Sequence, residues 1–132
     1  MRLYLDANAI IYAIESTLPV RGVVTARIGQ AEAAGGAIIT SRLSRLECRV
    51  KPLRDGNTAL LAAFDQFFAR PTLVIADVSA TVIEQATDLR ARYGFRTPDA
   101  LHLATAIVEH ADVFLTGDVA LRRCTEVRVE VL

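Results

Sequence analysis

Met1-Arg-Leu-Tyr-Leu-Asp6-Ala-Asn8-Ala-Ile-Ile-Tyr-Ala-Ile-Glu15 opens the chain. Leu3 to Leu5 is a short apolar run suited to a buried strand, and it stops at Asp6. Beyond it Ile10, Ile11 and Ile14 recur at helical spacing. A strand that hands over to a helix through Asp-x-Asn sets a carboxylate at the strand's C-terminal end. Open parallel α/β sheets hold their ligands and chemistry there. The same two side chains serve equally as caps, because each can accept from the free N–H groups of a helix's first turn. The choice between these roles depends on whether further acids stand at comparable places.

Outward from this stretch, strands and helices alternate. Thr17-Leu18-Pro19 breaks the first helix, and Val20 to Ala34 resumes helical spacing until Gly35-Gly36. Ala37 to Thr40 is a second short strand. Ser41 caps a helix running through Val50, which Pro52 kinks or ends. In that helix Leu43, Leu46, Val50 and Leu53 form an apolar stripe expected to face the core, while Arg42, Arg45 and Arg49 form a separate basic stripe. Glu47 falls at the apolar edge. An inward glutamate needs a base or a cation as partner, although a surface salt bridge or an outward-snorkelling side chain satisfies it too.

Asp55-Gly56-Asn57 is a turn, followed by a helix over Thr58 to Arg70 with Leu61, Phe64, Phe67 and Phe68 on one face, either core or a partner surface. Leu73 to Ala76 is a third strand, and Asp77 and Ser79 introduce the helix Ala80 to Tyr93, stopped at Gly94. Thr97-Pro98-Asp99 is a helix start, with Thr97 as cap, Pro98 at the first helical position and Asp99 favoured by the helix dipole. His102 lies one turn on, on the same face, suited to packing or to a hydrogen bond behind an acid; a direct catalytic role is the third option. Val113 to Leu115 is a fourth strand that runs into Thr116-Gly117-Asp118, with Asp112 at the opposite edge. Leu121 to Cys124 is a short helical turn, and Val127 to Val131 alternates as an edge strand. Strands spaced too widely for hairpins predict a mainly parallel sheet of about five strands, in a single α/β domain spanning residues 1–132.

Composition narrows the function classes. The formal net charge is zero, which excludes bulk attraction to a polyanion, yet every base except Lys51 is an arginine, suited to forked phosphate contacts. Cys48 and Cys124 lack metal-ligand spacing and read as reduced thiols. Asp6 interrupts the only N-terminal apolar run, and no stretch reaches the length of a membrane span, so a soluble, cytoplasmic protein is expected.

In such a sheet Asp6 and Asp118 emerge at one edge, Glu47 lies early in the helix after the second strand, and Asp99 opens the helix leading to the fourth. Convergence would give four carboxylates with no intrinsic counter-charge, which cannot all stay ionised without a cation. Hard oxygen donors suit Mg²⁺ or Mn²⁺ and not zinc. With Asp6-Ala7-Asn8, Ser44-Arg45-Leu46-Glu47, Thr97-Pro98-Asp99-Ala100-Leu101-His102 and Thr116-Gly117-Asp118 in this order, the chain resembles the PIN-domain endoribonucleases, specifically the small VapC-type toxins of toxin–antitoxin pairs. That resemblance covers essentially the whole chain and implies a three-layer α/β/α fold and metal-dependent cleavage of RNA. It implies that Asp6, Glu47, Asp99 and Asp118 are catalytic and hold one or two divalent ions, with Asn8 and Thr116 in support. It also implies a homodimer and a cognate antitoxin that blocks the site. Arg42, Arg45, Arg49 and Arg96 are the candidate RNA contacts.

Two alternatives stand beside it. An aspartyl-nucleophile phosphatase would use Asp6, but it wants a second acid where Asn8 stands and a lysine near the phosphate, and the sole Lys51 sits beside Pro52. A catalytically inactive PIN fold acting as a scaffold would need none of the four acids.

Overall fold

Period-two alternation sorts the strand side chains onto two faces. The computed structural model describes residues 1–15 and 19–132, so the expected break at Thr17 and Leu18 lies outside the described residues. In β1 (Arg2–Leu5), Leu3 and Leu5 enter one core and Tyr4 the other. The same division runs through β2 (Ala37–Ser41), with Ile38 against Ile39, and β4 (Val113–Thr116), with Val113 and Leu115 against Phe114. Both faces are apolar because both are covered. α1 (Ala7–Glu15), α2 (Val20–Ala33) and α4 (Thr58–Phe68) close the first core, and α5 (Ala80–Tyr93) and α6 (Thr97–Val108) close the second. Phe64, Phe67 and Phe68 are buried in the first core, which settles the aromatic face of α4 as core and not a partner surface.

With β3 (Leu73–Ala76) and β5 (Arg128–Val131), the sheet has five strands, all parallel, in the order β3-β2-β1-β4-β5. The chain therefore builds outward from β1 in one direction, then starts again on its other side with β4. The point of reversal lies between β1 and β4, where Leu3 pairs with Val113 and Leu5 with Leu115. Helices on opposite sides of two such strands diverge and leave a crevice beyond the carboxyl ends.

Three details depart from the sequence expectation. α3 (Arg42–Arg54) carries Pro52 inside it and ends only at Arg54. Its buried residues are Ser44, Cys48 and Pro52, and the stripe expected to face the core points outward, with Leu46 59% and Leu53 56% exposed. Periodicity marks a face but not its direction, and the small-residue row of α3 lets it approach α1 and α4 closely. Finally, Arg96 and not Thr97 occupies the cap position of α6, which makes Thr97 the first helical residue and Pro98 the second; the Thr97 hydroxyl accepts from Arg90 at 3.1 Å. Among the described residues no single helix is long and apolar enough to cross a membrane.

Candidate active site

The crevice at the reversal point is a cleft of about 290 Å³ lined by Asp6, Asn8, Glu47, Arg96, Asp99 and His102 among others. Asp6 follows β1 directly. Its Oδ1 accepts from the Ala9 N–H at 2.9 Å, so it does cap α1, and it is 4% exposed while doing so. Burial pushes its carboxyl up to about 6, opposed by donation from the Thr116 hydroxyl and the Ala9 N–H, with the Asp99 charge adding to the rise. Capping and site membership are thus compatible: the residue that caps α1 also lines the cleft.

The loop after β4 is tied to the same corner. Asn8 Oδ1 accepts from the Gly117 N–H at 2.8 Å, and Thr116 Oγ1 accepts from the Asp118 N–H at 3.0 Å. A Cβ at Gly117 would meet the end of the Tyr12 ring, so a larger residue there requires that ring to move. Asp118 itself caps the 3₁₀ turn Val119–Arg123 through the Ala120 N–H at 2.9 Å and does not line the cleft. Its charge is felt at the Arg96 guanidinium, together with those of Asp99 and Glu47.

The expected absence of a counter-charge is therefore corrected. Arg96 supplies one, with Nε donating to Asp99 Oδ2 at 3.0 Å; the His102 ring meets Glu47 Oε1 through Nε2 at 2.6 Å as a hydrogen-bond partner. Arg96 is exposed, whereas His102 is buried. Helical spacing sets His102 beside Asp99, but its partner is Glu47, which reaches it from α3 and lies 55 residues away in the chain.

The remaining arginines lie elsewhere. Arg42 pairs with Asp77 at 2.6 Å, and Arg49 and Arg45 with Asp65 at 2.9 and 3.7 Å. At about 100° per residue, Arg45 and Arg49 stand roughly opposite Glu47 around α3. They line a second, open groove of about 760 Å³ with Leu46, Val50, Leu53 and Val78.

Among the described residues, no three or more His, Cys, Asp or Glu side chains are drawn together closely enough to hold a metal ion. The donor chemistry nevertheless fits one. Asp6, Glu47 and Asp99 present carboxylate oxygens to one cleft, the ligands hard divalent ions take. The buried Asp6 carboxyl resists ionisation, and a cation would relieve that resistance.

The chain matches the PIN domain family over residues 3–127. Its fold is similar to that of the VapBC2 structure from Rickettsia felis, bound to a DNA fragment from its promoter, at a TM-score of 0.84 and 20% identity, covering 100% of this chain and 99% of that one. FitAcB from Neisseria gonorrhoeae aligns at a TM-score of 0.75 and 17% identity, over 96% and 95% of the two chains. VapC20 from Mycobacterium tuberculosis, a sarcin-ricin loop cleaving toxin, aligns at 0.72 and 16%, over 96% and 98%. No curated protein matches the sequence.

Proposed function

Because the chain belongs to the PIN domain family, we propose that it is a divalent-metal-dependent endoribonuclease acting as the toxin of a cytoplasmic toxin–antitoxin pair, with residues 1–132 forming one PIN domain. The observation that carries this reading is the meeting of Asp6, Glu47 and Asp99 in a single cleft at the reversal point of the sheet, with Asp118 just beyond it. Those four side chains would hold Mg²⁺ or Mn²⁺. A divalent ion there supplies positive charge to the scissile phosphate and lowers the pKa of an attacking water.

The chain's own residues divide the remaining work. Thr116 holds the Asp6 carboxylate and the backbone of the Asp118 loop, and Asn8 pins that loop to α1. Arg96 stands at the mouth of an otherwise acidic cleft, where its fork can take a phosphate oxygen in exchange for Asp99. Arg42, Arg45 and Arg49 would meet only RNA that extends around α3.

The homodimer of this reading has a candidate face in the open groove on α3. Its centre is apolar, through Leu46, Val50, Leu53 and Val78, and its rim arginines are held by aspartates, Arg42 by Asp77 and both Arg45 and Arg49 by Asp65. An apolar centre can meet its own copy, as a two-fold interface requires. The antitoxin would then be left the face that carries the cleft.

The deciding experiment is incubation of a mixed RNA pool with the wild type and Asp99→Asn, in Mn²⁺ and in EDTA. Cleavage by the wild type in Mn²⁺ alone is expected, with loss of at least 100-fold in the variant, in the range of a lost electrostatic contact. The scaffold alternative draws on the Arg96–Asp99 pair, which already neutralises one acid, and it predicts no cleavage under any condition. The phosphatase alternative has no support from the cleft, which no lysine lines.

A further inference from the structure

Behind the cleft a polar chain runs from the centre of the sheet to Glu47, and the role inferred for it rests on Glu47 being a site acid. Tyr4, on the central strand β1, is 0% exposed and stacks on Phe114 with ring centroids 5.1 Å apart. Its phenol oxygen lies 2.7 Å from Nδ1 of His102, a ring that is itself 4% exposed. Nε2 of the same ring lies 2.6 Å from Glu47 Oε1. Two apolar residues would fill this space equally well. A phenol and an imidazole in series make sense only with a polar group at the far end.

A neutral imidazole has one donor nitrogen and one acceptor, and its partners decide which is which. An ordinary phenol holds its proton at neutral pH. The carboxylate oxygen of Glu47 can only accept, so the nitrogen facing it carries the ring proton, and Nδ1 is left to accept from the Tyr4 hydroxyl. The ring proton then resides on Nε2 and is donated to the glutamate. We infer that Tyr4 and His102 are positioning residues: Tyr4 anchors the imidazole through Nδ1, and His102 clamps one oxygen of Glu47 through Nε2–H so that the other is presented to a cation. Ligand-orienting groups of this kind change metal affinity by about 10–100-fold when removed.

Tyr4→Phe deletes one hydroxyl and keeps the ring and its stacking, so the fold survives. His102→Gln offers an amide N–H in place of Nε2–H, and Glu47→Gln is the control. Mn²⁺ affinity is read by titration calorimetry without RNA, and the His102 tautomer by ¹⁵N NMR. Tyr4→Phe is expected to free the ring at Nδ1 while the proton stays on Nε2, and to weaken Mn²⁺ binding about tenfold, with His102→Ala weaker still and His102→Gln recovering part of the loss. Wild-type affinity in both Tyr4→Phe and His102→Ala, or a protonated Nδ1 in the wild type, overturns the inference. If His102→Ala fails to fold, Tyr4→Phe and the NMR spectrum decide alone. A wild type that binds no Mn²⁺, or a Glu47→Gln that binds it unchanged, overturns the reading of the site and this inference with it; the first kind of failure leaves the site standing.

Discussion

Asp6 does two things that pull against each other: it caps a helix, which favours the carboxylate, and it is buried, which disfavours it. Burial wins, and the carboxyl is displaced from 3.8 to about 6. Between those values the unfolded chain gives up its proton before the folded chain does. Stability should therefore fall as pH rises through this window, by up to about 3 kcal/mol from this group. Asp6→Asn keeps a capping oxygen and cannot titrate. In EDTA its melting temperature is expected to match the wild type near pH 4 and exceed it increasingly up to pH 7. Mn²⁺ should restore the wild type and not the variant, because only a cation that binds the folded site adds stability. A variant that melts lower at every pH, with an undiminished Mn²⁺ shift, would reduce Asp6 to a cap. Arg96 offers the complementary case. Arg96→Ala frees Asp99, so Mn²⁺ should bind more tightly while RNA binds more weakly, with a salt slope flatter by about one. An unchanged slope would leave Arg96 as a helix-end ion pair only.

Helix ends separate what the local sequence encodes from what the assembled fold decides. α2 and α3 close with the Gly36→Ala31 and Asn57→Pro52 backbone bonds around Gly35 and Gly56, both at positive φ. α6 closes with the same pair of bonds, Ala111→Ala106 and His110→Ile107, but places His110 at φ 56. A side chain in that conformation costs about 1–2 kcal/mol. His110 is exposed, so little packing opposes its replacement. His110→Gly is expected to raise stability by about 1 kcal/mol in urea melts without altering RNA cleavage, since the position lies at the far end of α6 from Asp99. The strands, the helix starts at Ser41 and Ser79, and acids at strand ends were legible because each has a local cause: alternation, a capping oxygen, a turn. The outward face of α3, the length of α3 past Pro52 and the Glu47–His102 pairing were not. Each depends on which neighbour a helix meets, and Ser44 and Cys48 look unremarkable until α1 and α4 are set against them.

The whole molecule buries both faces of its sheet and leaves Leu46, Val50 and Leu53 exposed side by side on α3. If that surface is a two-fold interface, Leu46→Asp should convert a sedimenting dimer into a monomer and abolish the concentration dependence of the melting temperature. A wild-type monomer at tens of micromolar protein would sink the proposal for this face. The strand order has a consequence of another kind. The central strand is made first but is completed on one side only by β4, and Asn8 finds its partner Gly117 across 109 residues of chain. At roughly 5–20 residues per second, a ribosome needs about 5–20 seconds to make that intervening length. Throughout it, Asp6 has no cleft to belong to. On the proposed reading, the nuclease has no complete site during that interval, and an antitoxin has the same interval in which to be present.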